Sequence, residues 1–122
     1  MNRGKGMLMK VARSSDVERT EVKMEGAAGV AIRWLIGEKD GASNFAMRMF
    51  EVQPGGHTPL HTHPHEHEVF IVEGTGTFVC DGREHPLEAE HAIFVPGGRE
   101  HCFKNTGDRL MRFLCIIPAG AK

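Results

Sequence analysis

Gly and Pro recur at short intervals along the chain, and this spacing limits the length of any regular element between them. The turn signals are Pro54-Gly55-Gly56, Gly74-Thr75-Gly76, Asp81-Gly82, Pro96-Gly97-Gly98 and Asn105-Thr106-Gly107. Between them lie strand-length runs rich in Val, Ile and Phe: AMRMFEV (46–52), EVFIVE (68–73), TFVC (77–80), AIFVP (92–96), HCFKN (101–105) and LMRFLCII (110–117). No segment shows a convincing helical period. The sequence therefore predicts an all-β protein, an antiparallel sandwich or barrel.

The Asp81-Gly82 pair predicts a tight hairpin between TFVC and REHPL. A type I′ turn requires positive φ at both central residues, and Asp followed by Gly adopts this geometry readily. The chain has 122 residues, the length of one domain. Residues 1–21 are polar and weakly patterned, which predicts an N-terminal arm or an edge strand that pairs with a second subunit.

Charge and hydropathy exclude several classes of partner. The formal net charge of -1 argues against nucleic acid and anionic membrane surfaces. The longest apolar run, FLCIIPA, is too short to span a bilayer, and the N-terminal MNRGKGMLMK lacks the apolar region of a secretory signal. Three cysteines cannot all pair internally, and their spacing matches no disulfide framework. Reduced thiols and a cytoplasmic location are therefore expected.

A cluster of histidines in GHTPLHTHPHEHE (56–68) is the strongest chemical signal in the chain. Such a stretch can hold a metal ion or form a solvated loop. On a strand, His61 and His63 share a face and can reach one ion, and His101, which follows a Pro-Gly-Gly turn, is a third candidate ligand. Pro64 resets the register, so spacing alone leaves the next ligand open among His65, Glu66, His67 and Glu68.

Two spaced patterns in the chain resemble the two motifs of the cupin superfamily. The first runs from Gly55 to His61-Thr62-His63, and the second from Pro96 through His101 to Asn105. The first motif expects a ligand that a four-residue gap assigns to Glu68 and a three-residue gap to His67. Only His67 is followed, after six residues, by the expected glycine, Gly74, so His67 is preferred. Glu90 stands where the second motif opens with glycine.

The stretches RWLIGEKDGASNFAMRMFEVQPGG, HTHPHEHEVFIVEG and FLCIIPAG are similar to small single-domain cupins that hold manganese with four histidines. This resemblance covers residues 22–120, which are assigned to the cupin domain. It implies a jelly-roll β-barrel, a homodimer and a manganese site formed by His61, His63, His67 and His101, with Glu68 as the alternative ligand. Iron, zinc and nickel also suit imidazole ligands.

Several other residues have two interpretations each. Arg48 is either an outward-facing charge on a strand or, from the matching family position, an anchor for an anionic or carbonyl substrate or for the dimer. Cys115 shares its strand parity with Phe113 and Ile117, and it either lines the pocket or packs in the core. Cys102 is expected to face away from His101. The remaining histidines are expected in loops or at the surface: His57, His65, His85 and His91.

Three functions are consistent with these residues. The first is a metal-dependent oxygenase or dioxygenase that acts on an apolar alkenyl or aromatic small molecule. Its pocket would be lined by Phe103, Phe113, Cys115 and Ile117, and its catalytic residues beyond the metal centre are unassigned. The second is a non-catalytic cupin that binds a metal or another ligand. The third is an isomerase of a sugar or small acid, which requires a carboxylate or lysine such as Glu68 or Lys104 beside the metal.

Overall fold

The computed structural model describes residues 9–121, so the first eight residues of the predicted arm lie outside the described residues. Within this range the chain forms nine strands, joined by loops and two single-turn 3₁₀ helices. The strands are β1 (Thr20–Glu21), β2 (Ala28–Ile36), β3 (Phe45–His57), β4 (His67–Glu73), β5 (Thr75–Cys80), β6 (Arg83–Glu88), β7 (Ala92–Val95), β8 (His101–Lys104) and β9 (Met111–Pro118).

The strands form one curled sheet in the order β6-β5-β8-β3-β9-β4-β7, with β2 also paired to β3 and β1 paired to β2. Every pair is antiparallel. The prediction of an all-β antiparallel barrel is therefore confirmed. No helix among residues 9–121 is long and apolar enough to cross a membrane.

The inner face of the curled sheet encloses a single hydrophobic core. Along β9 the buried residues alternate with partly exposed ones, as expected for a strand with one face inside. Phe113 lies near the centre of the core, and its ring is 5.2 Å from that of Phe50 and 4.7 Å from that of Phe103. Phe103 and Ile117 are 4% and 1% exposed. These two residues and Phe113 are part of the buried core, and their role as the lining of a substrate pocket stays a prediction.

Strand β3 continues through Pro54-Gly55-Gly56, where the sequence predicts a turn. Between two pairs that β3 makes with β2, Val30 with Val52 and Ala28 with His57, β3 contributes residues 53–56 opposite Gly29 alone. This bulge bends β3, so that its end pairs with β8. Gly56 is required here, because a Cβ at this position would lie 2.5 Å from the carbonyl oxygen of Ala28.

The predicted Asp81-Gly82 hairpin is confirmed. Asp81 and Gly82 have φ values of 52° and 80°, and they join β5 to β6 directly. Glu90, at the position where the family motif has glycine, also has a left-handed φ of 76°. The backbone therefore forms the turn before β7 without a glycine. The N–H of Glu90 donates to the carbonyl of Ile71 at 2.8 Å, and this hydrogen bond holds the turn in place.

A buried carboxylate on the outer face attaches the N-terminal segment to the sheet. Glu51 accepts hydrogen bonds from Arg19 and Arg33, each at 3.1 Å, and lies 3.5 Å from Arg112. Arg33 also donates to the carbonyl of Val17 at 2.6 Å. The described part of the predicted arm therefore packs on its own sheet, and its short strand β1 pairs with β2 of the same chain.

We predict that Glu90→Gly stabilises the fold. A side chain at left-handed φ costs about 1–2 kcal/mol, and glycine removes this cost while losing more entropy on folding, so a net gain of up to about 1 kcal/mol is expected. The free energy of unfolding, measured in urea, gives the size of this gain. Glu90→Ala keeps the Cβ and is the control, expected within about 0.5 kcal/mol of wild type. Equal stability of the two variants would show that the backbone at Glu90 is unstrained.

We predict that the ion pairs of Glu51 lose their stabilising effect in acid. Burial alone raises the pKa of Glu51, but the hydrogen bonds from Arg33 and Arg19 and the charges of Arg33 and Arg112 outweigh burial and lower this pKa. A carboxyl group whose pKa is lower in the folded than in the unfolded chain stabilises the fold at pH values above its unfolded-state pKa, which is about 4.3 for Glu. This stabilisation is lost as the pH falls through the folded-state pKa. Glu51→Gln should therefore cost about 2 kcal/mol at pH 7, because it removes the negative charge that faces three arginines and replaces one accepting oxygen with an NH2 group.

Thermal unfolding of wild type and Glu51→Gln at pH 7 and at pH 3 measures this difference. The difference in stability between the two proteins should be smaller at pH 3 than at pH 7. Titration of the histidines changes the stability of both proteins by the same amount and so does not contribute to the difference. Glu73→Gln is the matched control, since Glu73 pairs with the same Arg112 but its side chain is 52% exposed. Its effect should stay below about 1 kcal/mol at both pH values. A difference for Glu51→Gln that does not change with pH would contradict the assignment.

Candidate metal centre

Four of the predicted ligands come from three parts of the chain. His61 and His63 lie in the connection between β3 and β4, while His67 begins β4 and His101 begins β8. The predicted strand at His-Thr-His is wrong in its extent. Only His61 pairs with another strand, in an isolated bridge to His101 in which each N–H donates to the other's carbonyl, at 3.2 and 3.0 Å. This bridge brings the loop to the end of β8.

The four imidazole rings converge inside one end of the barrel. The ring of His101 lies 5.2 Å from His61, 5.0 Å from His63 and 5.5 Å from His67, measured between centroids. The ring of His63 lies 5.1 Å from His61 and 4.3 Å from His67. Ligand atoms of His61, His63 and His101 all lie within 4.8 Å of one another, which is close enough for three ligands of one ion.

Hydrogen bonds at Nδ1 determine which ring nitrogen is free. The Nδ1 atoms of His61, His63 and His101 lie 2.8–2.9 Å from the backbone carbonyls of Pro59, His65 and Arg99, respectively. A carbonyl only accepts, so each Nδ1 carries the proton and each Nε2 keeps its lone pair. Histidines that bind metals commonly have this arrangement, because the second hydrogen bond orients the ring and raises its basicity.

His67 is held by a side chain instead of a carbonyl. Its Nδ1 lies 3.0 Å from Sγ of Cys115, and Nη2 of Arg48 donates to the same sulfur at 3.0 Å. In the tautomer that donates Nδ1–H to this sulfur, Nε2 of His67 keeps its lone pair. Cys115 is thus both buried in the core, at 1% exposure, and in contact with the histidine cluster.

Burial lowers the pKa of His63, His67 and His101 and so favours their neutral form. Desolvation, followed by the charge of Arg48, lowers the pKa of His67 to about 2, and desolvation is also the main cause that lowers the pKa of His63 and His101. The Nε2 atoms of His63 and His67 are buried without a hydrogen-bond partner. Neutral imidazoles with unpaired lone pairs are the form that binds a metal cation, so these residues fit a divalent ion.

Glu68 and Lys104 lie away from the histidines. Glu68 is exposed on the opposite face of β4 from His67, and it pairs across the sheet with Phe94 and Ile116. Lys104 has the opposite strand parity from His101 and lies 3.9 Å from Glu84. Neither side chain supplies a carboxylate or an amine beside the cluster.

Arg48 faces the interior of the barrel, so its interpretation as an outward-facing charge is wrong. The residue is 6% exposed, and its guanidinium lies 5.4 Å from the ring centroid of Trp34 and 4.9 Å from that of Phe50. Its Nε is buried without a hydrogen-bond partner. A buried cation with a free donor is suited to an anionic or carbonyl oxygen. Cys102, by contrast, pairs with Val79 and faces away from His101, as predicted.

His65 is the residue of the cluster that the sequence analysis missed. It is predicted as a loop histidine, but its ring stacks on His63 at 4.0 Å and its Nε2 is buried without a partner. Burial is the main cause that lowers its pKa. Its single sequence signal is its spacing of two residues from both His63 and His67. The other three histidines lie outside the cluster, with His85 and His91 exposed and His57 half-buried.

A cleft of about 740 Å³ reaches Trp34, which contacts the buried Arg48, but Arg48 itself is not among its described lining residues. Its walls come from the N-terminal segment, from the 3₁₀ turn at Glu38–Asp40 and from residues 119–121. Trp34 and Ala46 also line it. Because Trp34 packs on Arg48, one aromatic ring separates this cleft from the guanidinium. Its volume is typical of a small-molecule site.

Comparison with known proteins gives the same architecture. Residues 48–117 match the cupin domain family. The oxalate-binding protein of Thermotoga maritima is 32% identical over 122 residues, covering 96% of this chain and 98% of that protein. The 1-methylthio-D-xylulose 5-phosphate methylsulfurylase of Rhodospirillum rubrum is 34% identical over 73 residues, covering 60% of this chain and 47% of that protein.

A solved structure is similar over almost the whole described chain. The polyketide cyclase RemF from Streptomyces resistomycificus superposes with a TM-score of 0.86 and 37% identity, covering 91% of this chain and 80% of that one. The fold, the match to the cupin domain and the full-length similarity to the Thermotoga protein agree with one another. The chain belongs to the cupin superfamily, as a small single-domain member.

Proposed function

We propose that this cupin is a metal-dependent oxygenase of small organic molecules. His61, His63, His67 and His101 would hold one divalent ion, with manganese as the first candidate. The observation that carries the proposal is the convergence of four rings whose Nδ1 atoms are all engaged by a neighbouring group. The centroid of each ring lies within 5.5 Å of the centroids of at least two of the other three.

The charge of the ligand set supports redox chemistry. Four neutral imidazoles leave the full charge on a divalent ion, and an octahedral ion with four protein ligands keeps exchangeable positions for small molecules. A bound manganese or iron ion would supply a redox-active Lewis acid next to the substrate. Zinc in a closed tetrahedral site would supply neither redox chemistry nor an open position.

The protein's own contribution to substrate binding would come from Arg48. Its free Nε and its contact with Cys115, which in turn contacts His67, bring a buried positive charge next to the histidines. We propose that it anchors a carboxylate or carbonyl oxygen of the substrate. The apolar part of the substrate would lie against Trp34 and Phe50, on the side of the 740 Å³ cleft. The relative named as an oxalate-binding protein is consistent with a carboxylate ligand.

Ligand binding without catalysis is the second candidate. It is favoured by the outward orientation of Glu68 and Lys104, which leaves the histidine cluster without either of the acid-base groups that the sequence suggests. The same orientation removes the groups that an isomerase would require. Oxygen consumption separates the oxygenase from the binding protein, because only the oxygenase turns over.

The homodimer stays a prediction, because a single chain is described. The outer face of the sheet carries exposed aromatic residues that a second copy could cover. Phe70 and Phe94 lie on this face of β4 and β7, at 43% and 58% exposure.

We predict that His67→Ala loses the bound metal and that Glu68→Ala keeps it. His67 faces the other rings, whereas Glu68 points to solvent, so the loss of affinity should exceed about 10-fold for the first variant alone. Elemental analysis of protein purified without an affinity tag measures both, with wild type expected to hold about one ion per chain. Circular dichroism checks that each variant folds, and His67→Gln serves if the alanine variant does not. Metal loss in Glu68→Ala, or a wild type without metal, would contradict the ligand set.

We predict that Arg48→Gln keeps the metal but loses substrate affinity. The variant removes the buried charge and should raise KM for aryl alkenes and aromatic compounds that bear a carboxylate by about 10-fold or more, since a charged hydrogen bond is lost. Oxygen-electrode assays with manganese-loaded protein measure this, and Arg48→Lys, which keeps the charge, is the matched control. An unchanged KM would contradict the anchor. If the carboxylates bind but none of them causes oxygen consumption, the protein is a ligand-binding protein and not an oxygenase.

A further inference from the structure

Five imidazoles, not four, meet in this part of the barrel. The rings of His63, His65 and His67 are nearly parallel, with interplanar angles of 4° to 7°. Their centroids are separated by 4.0 Å from His63 to His65, by 4.3 Å from His63 to His67 and by 5.2 Å from His65 to His67. His65 is therefore integrated into the cluster and is not a surface residue beside it.

The five rings form two overlapping groups of potential ligands. In the first group, His61, His63 and His101, all three ligand atoms lie within 4.8 Å of one another, and the same holds for the second group, His63, His65 and His67. We call the first group the bridge seat, after the backbone bridge between His61 and His101, and the second the stack seat. His63 belongs to both groups, and His67, a member of the stack seat, is also the proposed fourth ligand of an ion at the bridge seat.

The unpaired nitrogens support a cation at the stack seat. The Nε2 atoms of all three of its histidines are buried and have no hydrogen-bond partner. A buried polar atom without a partner destabilises the fold. An ion at the stack seat would pair with the Nε2 atoms of all three histidines, whereas an ion held by the proposed four ligands leaves Nε2 of His65 without a partner.

The orientation of the rings makes the two seats unequal. In the bridge seat the rings are inclined to one another by 41° to 80°, so their in-plane lone pairs can converge on one point. The lone pairs of parallel rings lie in parallel planes that do not intersect, so the stack seat requires a tilt of its rings before all three lone pairs reach one ion. The bridge seat is thus closer to a preformed metal site, and the stack seat is expected to be the weaker one.

We propose that His65 is a fifth metal-binding residue, which together with His63 and His67 provides a second, alternative seat for the same ion. This inference rests on the proposed metal binding. Nδ1 of His63 is already engaged by the carbonyl of His65, so His63 has a single lone pair to offer. It can bind one ion at a time, and the two seats exclude each other. One ion, not two, is held per chain.

The test removes the bridge seat and asks whether His65 then matters. The probe is Co²⁺ alone, added to metal-free protein, with the visible absorption of bound Co²⁺ and isothermal titration calorimetry as readouts. The variants are His61→Ala, His61→Ala with His65→Ala, and His61→Ala with His85→Ala. His85 is the control because it is an exposed histidine outside the cluster. Circular dichroism verifies that each variant is folded.

We expect wild type to bind one Co²⁺ per chain and His61→Ala to keep binding through the stack seat. Adding His65→Ala should then weaken binding about 10-fold or more and change the absorption spectrum, while adding His85→Ala should change neither. Equal affinities and spectra for His61→Ala with and without His65→Ala would overturn the role of His65. Two Co²⁺ ions per chain would overturn the shared use of His63. A wild type that binds no Co²⁺ would instead refute the proposed metal centre itself.

Discussion

The bend in β3 is the constraint on which the rest of the structure depends. This strand pairs with β2, β9 and β8, and its end pairs with β8 after the bulge at residues 53–56, which redirects the chain. Gly56 allows the bulge, since the carbonyl oxygen of Ala28 occupies the space of a Cβ. Once β8 is joined to β3, His101 at its start faces the interior, and the backbone bridge to His61 closes the connection that carries the other histidines. The fold and the candidate metal centre therefore share one origin.

A short line of polar contacts runs through the interior of the barrel. Arg48 and Cys115 are direct partners across β3 and β9, and Cys115 in turn contacts His67 at the start of β4. The buried guanidinium has no carboxylate partner among its hydrogen bonds or ion pairs within the described residues. If a divalent ion is bound by the histidines, two positive charges lie close together in a medium of low dielectric constant, and an anionic ligand between them relieves this repulsion. The electrostatics thus favour a carboxylate-bearing ligand over a purely apolar one.

The candidate site could be predicted from the sequence to the extent that it depends on spacing. The resemblance to the family motif, counted from His63 to His67 and from there to Gly74, implies His67 in preference to Glu68. The structure agrees with this choice, because β4 alternates its faces and Glu68 faces outward. His65 could not be assigned in this way. It lies in an irregular segment after Pro64, where no period relates position in the sequence to direction in space. The inward orientation of Arg48 also became clear only from its neighbours Trp34 and Phe50 on two adjacent strands.

By itself the sequence determined the all-β class, most strands from 46 to 117 and the Asp81-Gly82 hairpin, since these depend on local preferences of the backbone and on period-two alternation. Strand β2 and the course of β3 through Pro54-Gly55-Gly56 were decided by tertiary structure, because pairing with distant strands outweighs the local turn preference of Pro and Gly. The same holds for the packed core at Phe103, Phe113 and Ile117. The sequence shows that these residues are apolar, but only the curvature of the sheet decides whether they enclose a cavity or fill it.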